Sequence, residues 1–305
     1  MRAIQFSEYG EPEVLGLVTL PDPVPGPDEV LIELHAASLN AADVKGRRGI
    51  SIHSDDLPHV PGRDFAGVVV SAPEGSGFQP GDAVFGVCNP VHEGAYAERI
   101  AIAPGHIAHT PAGVGHIEAA AMALAGLTAM IALEETLAVR AGEKLLVQGG
   151  AGGVGTMALQ LGRHIGAHVG ATARSENHDY LRQHGAEVCV DYRTADLAEV
   201  FGGCDAVFDC VGPATLASTF AALKPGGRAA FIGMGRTTPE PPDPRLIALR
   251  PNVIRDRARM DRLAGHIRDG IFHPPEIRVM PLAEAAEAHR IGDTGHVRGK
   301  IVFEI

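Results

Sequence analysis

The sequence has few cysteines and no excess of basic residues, and both shortages exclude classes of protein. Of its 305 residues only 4 are cysteine, and none forms a C-x-x-C pair, so neither a zinc ribbon nor a thioredoxin-like redox motif is indicated. We expect the thiols to be reduced and mostly buried. Lysine and arginine together number 26 against 37 aspartates and glutamates, which gives a formal net charge of -11. Because nucleic acids and anionic membranes attract basic surfaces, this charge argues against both as partners.

Long hydrophobic runs are also scarce. The stretch from Met1 to Glu8 lacks the apolar core of a signal peptide. The longer apolar stretch from Ala119 to Leu133 is too short to span a bilayer. We therefore expect a cytoplasmic protein that does not associate with membranes. No tandem repeat or low-complexity tail is visible, so an interaction scaffold has little support.

The sequence does contain enough apolar material for about two domains, since 45% of its residues are hydrophobic. Roughly the first 110 residues show short strands between Pro and Gly turns, such as Glu29 to Leu34, Gly67 to Ser71 and Ala83 to Val87, and predict an all-β, barrel-like region. From Ile117 onward, helical segments alternate with apolar strands, which predicts a parallel sheet covered by helices on both faces. The later predicted elements are strands at Lys144 to Val147, His168 to Ala173, Glu187 to Val190, Ala206 to Cys210 and Arg228 to Ile232, a helix from Asp261 to Asp269, and a last strand from Gly299 to Ile305.

A glycine-rich turn follows the first of these apolar strands and leads into a helical stretch. Gly150, Gly152 and Gly155 have the G-x-G-x-x-G spacing, in which the first glycine permits a tight turn, the second lets backbone approach a pyrophosphate, and the third lets helix pack on strand. The pyrophosphate would lie on the free N–H groups at the start of the helix, where Gly153 and Val154 stand. A second strand follows about 20 residues later, as a βαβ unit requires. The pattern predicts dinucleotide binding and makes a redox enzyme the leading interpretation.

The end of the second strand indicates which dinucleotide is bound. An NAD enzyme normally has a carboxylate there to accept hydrogen bonds from the ribose hydroxyls, whereas this chain has Arg174 and Ser175. An arginine can pair with a 2′-phosphate and a serine hydroxyl can donate another bond, so NADPH is favoured over NADH. Alternatively Arg174 is only a solvated loop residue, and the nearby Glu176 makes the local field less positive.

Several motifs in the same chain order as in a known family strengthen this interpretation. They are Ser38 to Lys45, Pro61 to Gly67, Gly81 to Gly86, Gly94 to Glu98, Leu124 to Ala129, the glycine turn, Asp209 to Gly212 and Gly295 to Val302. Over nearly its whole length the chain resembles the zinc-independent quinone oxidoreductases of the medium-chain dehydrogenase/reductase superfamily, the group that includes zeta-crystallin and enone reductases. The resemblance implies an α/β fold with a GroES-like β-barrel catalytic domain, residues 1–115 with 267–305, and a Rossmann domain with a doubly wound parallel sheet, residues 116–266. It also implies a homodimer.

Both zinc-ligand sets of the zinc-dependent relatives are missing from the sequence. Those relatives have a Cys within the stretch that here reads Ser38 to Asn40, and a His-Glu pair in place of Arg63-Asp64. We therefore expect no metal site. Without a Lewis acid, alcohol dehydrogenation is disfavoured, whereas hydride from NADPH can add to a quinone or to the β-carbon of an enone, leaving an enolate that needs only hydrogen-bond donors and a proton. Two alternatives stay open: an alcohol or polyketide-tailoring oxidoreductase on the same fold, and a non-enzymatic NADPH-binding protein.

The resemblance also implies two catalytic residues. Asn40 would lie against the nicotinamide ribose and the reacting centre, and Lys45 is the candidate donor to the developing oxyanion. Alternatively Lys45 is a solvated cation at a strand end and Asn40 is a turn former. Asp43, interpreted as an exposed carboxylate with a pKa near 4, is expected to organise this loop rather than to act as a base.

Further candidate cofactor contacts come from one helix and from strand ends. Thr128 resembles the family Thr that approaches the nicotinamide carboxamide, although a helical Thr can equally bond its own backbone. Tyr192 resembles the family Tyr near the adenosine ribose and phosphate, with simple loop packing as the alternative. The carboxyl ends of two successive strands are where ligands bind in open α/β sheets, so their backbone should line the nicotinamide; the residues there are Val211, Gly212, Gly233, Met234 and Gly235.

Overall fold

The structure is a computed structural model that describes residues 1–50, 57–89, 93–235 and 237–305. The chain divides into two compact units. The first unit comprises Met1–Leu124, Ile254–Gly270 and Pro274–Ile305, and the second comprises Ala125–Val253 with Ile271–His273. The domain boundaries predicted from the sequence stay a prediction beside this division.

The first unit begins with short strands, as the Pro and Gly turns predict. The strand predicted over Glu29 to Leu34 runs on to Ser38, and its last three residues are buried. A helix follows directly, which an all-β region would not contain; its start is fixed by the Asp43 carboxylate, which accepts a hydrogen bond from the Asn40 backbone N–H at 2.8 Å. In chain order the elements are β1 (Arg2–Gln5), β2 (Gly16–Thr19), β3 (Val30–Ser38), α1 (Ala41–Arg47), β4 (Asp64–Ser71), β5 (Ala83–Val87), β6 (Arg99–Ile102) and β7 (Ile107–His109).

A long apolar helix comes next. Helix α2 (His116–Met130) continues into a π-helical segment, Ile131–Thr136. Together they make a 21-residue helix that is long and apolar enough to cross a membrane, so the expectation that this stretch is too short was wrong. In the structure, 83% of its most apolar window is buried inside the protein, and a helix buried in a protein core passes the same test of length and composition.

The second unit is built around a six-stranded sheet whose strands follow the predicted apolar runs. Its elements are β8 (Lys144–Gln148), α3 (Gly153–Ile165), β9 (His168–Ala173), α4 (His178–Gln183), β10 (Val188–Asp191), α5 (Leu197–Phe201), β11 (Cys204–Asp209), α6 (Leu216–Ala221), β12 (Leu223–Phe231) and β13 (Ile247–Leu249). All neighbouring strands are parallel, and their order is β10-β9-β8-β11-β12-β13. This is the doubly wound order of a dinucleotide-binding sheet, so the predicted Rossmann class is confirmed.

The last part of the chain returns to the first unit through α7 (Arg257–Arg268), β14 (Ile277–Pro281), α8 (Ala285–Asp293) and β15 (Lys300–Glu304). Helix α7 begins before the predicted start at Asp261, because the Asp256 side chain accepts a hydrogen bond from the Arg259 backbone N–H at 2.9 Å and caps the helix. Strand β15 pairs parallel with β14 and antiparallel with β3, where Val302 lies opposite Ser38. The terminal strand therefore lies beside the end of β3 and Leu39, the residue that follows it.

Candidate active site

The glycine turn, Gly149 to Gly155, packs backbone against backbone between β8 and α3. A Cβ on Gly155 would lie 2.3 Å from the Gly149 carbonyl oxygen and 2.8 Å from the Gly150 Cα, a clash that only glycine avoids. At Gly152 the nearest atom to such a Cβ would be the Gly149 oxygen at 3.7 Å, an ordinary contact. Gly155 therefore serves close helix packing, whereas Gly152 leaves open backbone of the kind that an approaching pyrophosphate needs.

The turn includes Gly150, but its left-handed residue is the one before it. Gly149 has a φ of +76°, in the left-handed region, and Gly150 does not have a positive φ. Gly150 lies within the turn, and a Cβ there would lie 3.0 Å from both Ala171 Cβ and Leu181 Cδ2, so close packing also favours glycine at this position.

The start of α3 is open for an anion. Gly152 precedes the helix in an extended conformation and provides no side-chain cap. The Thr156 N–H bonds the Gly152 carbonyl at 2.8 Å, while helix geometry gives the N–H groups of Gly153, Val154 and Gly155 no acceptor inside the helix. These donors and the positive end of the helix dipole suit a pyrophosphate. The residues present fit a dinucleotide.

The loops after β11 and β12 meet beside the glycine turn's strand. A Cβ on Gly212 would lie 2.9 Å from the Gly233 oxygen, and one on Gly233 would lie 2.4 Å from the Val211 oxygen. The buried Asp209 carboxylate holds the first loop by accepting hydrogen bonds from the backbone N–H groups of Val211 and Gly212, both at 2.9 Å. The structure thus brings together Val211, Gly212 and Gly233, with Met234 and the exposed Gly235 following along the second loop.

The end of β9 carries the residues expected at the adenosine side. The Arg174 Nε donates a hydrogen bond to the Tyr192 hydroxyl at 3.2 Å, so two of the candidates are in contact. The Arg174 side chain is 35% exposed, and its Nη1 is 4.0 Å from the Glu176 carboxylate. Ser175 is exposed, and its backbone N–H donates to Asp191 at 2.9 Å.

Two further residues lie near the end of β9 and were not predicted from the sequence, Asp191 and Arg193. Asp191 ends β10, the next strand along the sheet edge, and so brings a carboxylate to the place where β9 has none. Arg193 donates to both Asp191 oxygens, at 3.0 and 2.7 Å, and these bonds hold the pKa of Asp191 well below its usual range. Arg193 Nη2 also bonds Glu176 at 3.2 Å. Two arginines, Arg174 and Arg193, and two carboxylates, Asp191 and Glu176, therefore lie together near the end of β9, and their formal charges cancel.

Asn40, in the first unit, makes three side-chain hydrogen bonds. Its Nδ2 donates to the Ser38 carbonyl at 3.1 Å and to the Asp64 carboxylate at 2.8 Å. Its Oδ1 accepts a hydrogen bond from Lys300 Nζ at 2.6 Å. No local sequence signal points to Lys300, because 260 residues separate it from Asn40. The Asn40 side chain is therefore held by three residues of the first unit, and its catalytic role stays a prediction.

Asp43 is fully buried, so the expectation of an exposed carboxylate was wrong. Besides the Asn40 N–H, it accepts a hydrogen bond from the Tyr96 hydroxyl at 3.2 Å, and its Oδ1 lies 3.2 Å from Arg63 Nε. Burial raises the pKa of Asp43 to about 7, against the opposing effect of the Arg63 guanidinium. Arg63 also pairs with Glu93 at 2.6 Å. Asp43 does organise its loop, but as a buried ion pair.

Lys45 and Thr128 lie on helices. Lys45 is half-buried in α1, not at a strand end, because the capping contact of Asp43 has already begun the helix. Thr128 is buried in α2 within the second unit. Asn40 and Lys45 therefore belong to the first unit, while Thr128 and the other cofactor candidates belong to the second.

Ser38 and Asp64, which lie in the two stretches where the sequence analysis expects zinc-dependent relatives to have ligands, bond to one another. Ser38 Oγ donates to the buried Asp64 carboxylate at 2.7 Å, and Asp64 also accepts from the Leu124 backbone N–H at 3.2 Å. Within the described ranges, no group of three or more His, Cys, Asp or Glu side chains could hold a metal ion.

Comparison with known proteins agrees with this geometry. The model of the alcohol dehydrogenase GroES-like domain matches residues 26–142, and that of the zinc-binding dehydrogenase family matches residues 153–262. The chain is 32% identical to an Arabidopsis thaliana chloroplastic NADPH-dependent alkenal/one oxidoreductase, over 99% of this chain and 79% of the relative. It is also 32% identical to a Rattus norvegicus quinone oxidoreductase, over 99% of this chain and 96% of the relative.

Among solved structures, the quinone oxidoreductase from Coxiella burnetii superimposes with a TM-score of 0.90 at 32% identity, covering 100% of this chain and 99% of that one. The likeness therefore extends over both units rather than over a single shared domain.

Proposed function

The chain belongs to the quinone oxidoreductase family of the medium-chain dehydrogenase/reductase superfamily, and from this we propose that it reduces quinones or other α,β-unsaturated carbonyl compounds with NADPH, by hydride transfer without a metal. The observation that carries the proposal is the glycine turn, where the backbone at Gly152 is open in front of the uncapped start of α3. One relative is named for NADPH and for alkenals, and the other for quinones. Their names support the same cofactor and the same class of acceptor here.

The second unit would hold the dinucleotide. NADPH supplies a hydride from its nicotinamide ring. In the proposal, the N–H groups of Gly153, Val154 and Gly155 bind the pyrophosphate, and Arg174 with Ser175 and Tyr192 meets the 2′-phosphate. The loops at Val211 to Gly212 and Gly233 to Gly235, with Thr128, line the nicotinamide. The Glu176 carboxylate competes with the 2′-phosphate, because it lies close to both Arg174 and Arg193.

The first unit would provide the groups for the acceptor. Hydride adds to the β-carbon of an enone, the carbonyl oxygen becomes an enolate, and a proton from solvent or a side chain completes the reduction. Lys45 is the proposed donor to that oxygen, because an ammonium group stabilises developing negative charge. Asn40 cannot be this donor, since both Nδ2 hydrogens are already committed to Ser38 and Asp64.

We also propose that the protein is a homodimer and is located in the cytoplasm. Its domain boundaries are proposed as 1–115 with 267–305 for the first domain and 116–266 for the second. Light scattering of the purified chain tests the dimer, and fractionation of the source cells tests the location.

The experiment for the activity follows NADPH oxidation by its near-ultraviolet absorbance, with a benzoquinone, phenanthrenequinone and a simple enone as acceptors and NADH in parallel. Turnover with NADPH above that with NADH supports the proposal. Tight NADPH binding with no turnover of any acceptor would contradict it and favour a binding protein.

A further inference from the structure

The Asp191 carboxylate fixes the position of the Arg193 guanidinium group near the end of β9. It accepts hydrogen bonds from Arg193 Nε at 3.0 Å and from Arg193 Nη2 at 2.7 Å, a two-point contact that suits the fork of a guanidinium group. It also accepts hydrogen bonds from two backbone N–H groups, that of Arg193 at 3.0 Å and that of Ser175 at 2.9 Å. These four bonds, on a side chain that is only 9% exposed, hold Asp191 and Arg193 together.

The Glu176 carboxylate contacts two arginines but is held more loosely. Among the described residues, one of its oxygens accepts a hydrogen bond from Arg193 Nη2 at 3.2 Å. The other oxygen is 4.0 Å from Arg174 Nη1, which is beyond hydrogen-bond distance. The Glu176 side chain is 56% exposed, so it can turn into solvent without becoming a buried, unpaired charge. Of the two carboxylates, Glu176 is therefore the one that an incoming anion can displace.

Arg193 has hydrogen-bond donors left for such an anion. A guanidinium group has five N–H bonds, and Nε and Nη2 direct theirs to Asp191 and Glu176. The two N–H bonds of Nη1 have no acceptor in the part of the chain that the structure describes, and 45% of the side chain is exposed. Displacement of Glu176 would free one further N–H bond, on Nη2.

The charges near the end of β9 indicate that a phosphate needs both arginines. With Glu176 in place, the two arginines and two carboxylates there are formally neutral. When Glu176 turns away, one net positive charge remains, and it is shared by the two guanidinium groups that had contacted the same carboxylate. A phosphate offers several acceptor oxygens in place of that carboxylate, so it can accept hydrogen bonds from both arginines.

We propose that Arg193 is a second ligand of the 2′-phosphate, beside Arg174, and that Asp191 is a positioning residue that holds Arg193 for this contact. The inference rests on the proposed function, because it requires a cofactor with a 2′-phosphate. The two carboxylates then act in opposite directions. Glu176 competes with the phosphate, whereas Asp191 supports phosphate binding although it carries the same charge. All of these residues belong to the second unit.

The test compares NADPH with NADH, which differ only in the 2′-phosphate. Their dissociation constants are measured by fluorescence titration of the purified protein in about 0.15 M salt, where exposed charges more than about 8 Å apart are largely screened. Arg193→Ala should weaken NADPH roughly tenfold, the effect of a lost charge-assisted hydrogen bond, and should weaken NADH by less than about twofold. An unchanged ratio of the two dissociation constants would overturn the inference.

Asp191→Asn separates positioning from charge. Removal of a negative charge near a phosphate should by itself tighten NADPH binding. Because Asp191 holds Arg193, we expect this variant instead to weaken NADPH roughly three- to tenfold, with little change for NADH. In the Arg193→Ala background no guanidinium group is left to hold, so the same substitution should tighten NADPH. A general loss of stability would not reverse the sign. An effect of the same sign in both backgrounds would overturn the positioning role of Asp191.

Asp179 and Arg182 provide a matched control pair in the second unit. Arg182 Nη1 donates to Asp179 Oδ1 at 2.8 Å, and both side chains are exposed. Arg182→Ala and Asp179→Asn should leave both dissociation constants within about twofold of those of the wild type. Losses of NADPH affinity equal to those of the Arg193 and Asp191 variants would overturn the inference, because any exposed pair would then have the same effect.

The titrations need no turnover, so the inference and the proposed reductase activity can fail separately. A wild type that binds NADPH but reduces no acceptor would contradict the activity, while the expected losses in the variants would still support the inference. A wild type that binds NADH as tightly as NADPH would overturn the inference. If Asp191→Asn does not fold, Arg193→Lys keeps a cation without the two-point contact and should lose part of the preference for NADPH. Full retention of that preference would overturn the positioning role.

Discussion

Replacing Gly152 and Gly155 by alanine separates cofactor approach from helix packing in the glycine turn. Gly155→Ala puts a Cβ 2.3 Å from the Gly149 oxygen, and that atom belongs to backbone that cannot swing away. An ordinary carbon–oxygen contact is about 3.3 Å, so α3 and the turn must separate by about 1 Å. Such overpacking costs about 1–3 kcal/mol, so a melting temperature several degrees lower is expected.

Gly152→Ala should have the opposite profile. Gly152 has a φ of -78° and a ψ of 168°, which alanine adopts freely, and the nearest contact of the new Cβ would be 3.7 Å. Stability should be unchanged or raised by about 0.4–1 kcal/mol, because the unfolded chain loses freedom. The methyl group occupies the space through which the pyrophosphate approaches, so the NADPH dissociation constant should rise by about tenfold or more, equivalent to about 1.4 kcal/mol.

The assay pairs thermal unfolding followed by circular dichroism with fluorescence titration of NADPH, on the wild type and both variants. Gly152→Ala binding NADPH within twofold of wild type would refute the placement of the pyrophosphate. An unchanged melting temperature for Gly155→Ala would refute the packing argument.

Four further predictions concern single side chains. Arg174→Ala should weaken NADPH far more than NADH, and Glu176→Gln should tighten NADPH by removing a competing carboxylate; equal effects of Arg174→Ala on both cofactors in titrations would exclude the 2′-phosphate contact. Lys45→Ala should lower enone kcat by roughly a hundredfold with little change in NADPH affinity, and an unaltered rate would remove Lys45 from the mechanism. Burial lowers the pKa of His289 to about 3, with the Arg47 cation adding to the effect, so its folded-state pKa lies below its unfolded value of 6.5 and its contribution to stability is lost as pH falls below 6.5. The free energy of unfolding should therefore fall by about 2 kcal/mol between pH 6.5 and 5 because of His289. In urea unfolding, the His289→Leu variant should lack this fall. An equal pH dependence of the unfolding free energy in both proteins would refute the argument.

The elements that the sequence predicts best are those with a strong local pattern. Strands β5 and β9 have the predicted bounds, because each is an apolar run between turn residues. Helix α7 begins earlier than predicted because its cap at Asp256 precedes the apolar periodicity that marked it. Helix α1 was missed because a short helix of seven residues has too little periodicity to be recognised.

The arrangement of the candidate residues could be predicted where backbone motifs define it, and not where residues distant in sequence meet. The glycine turn and the loops at Val211 and Gly233 follow from chain order in a parallel sheet. The burial of Asp43 depends on Arg63 and Tyr96, which come from other strands and loops, so its pKa could not be judged from its neighbours in sequence. Lys300 reaches Asn40 only because β15 pairs with β3.

The measurement that tests metal-free hydride transfer most directly uses chelator-treated protein with NADPH carrying deuterium at the transferable C4 position and an enone as acceptor. The product is then analysed by nuclear magnetic resonance. The account predicts undiminished turnover after chelation, with the deuterium bound to the β-carbon of the product. Turnover that disappears on chelation and returns with added zinc, or deuterium found at the carbonyl carbon, would contradict it.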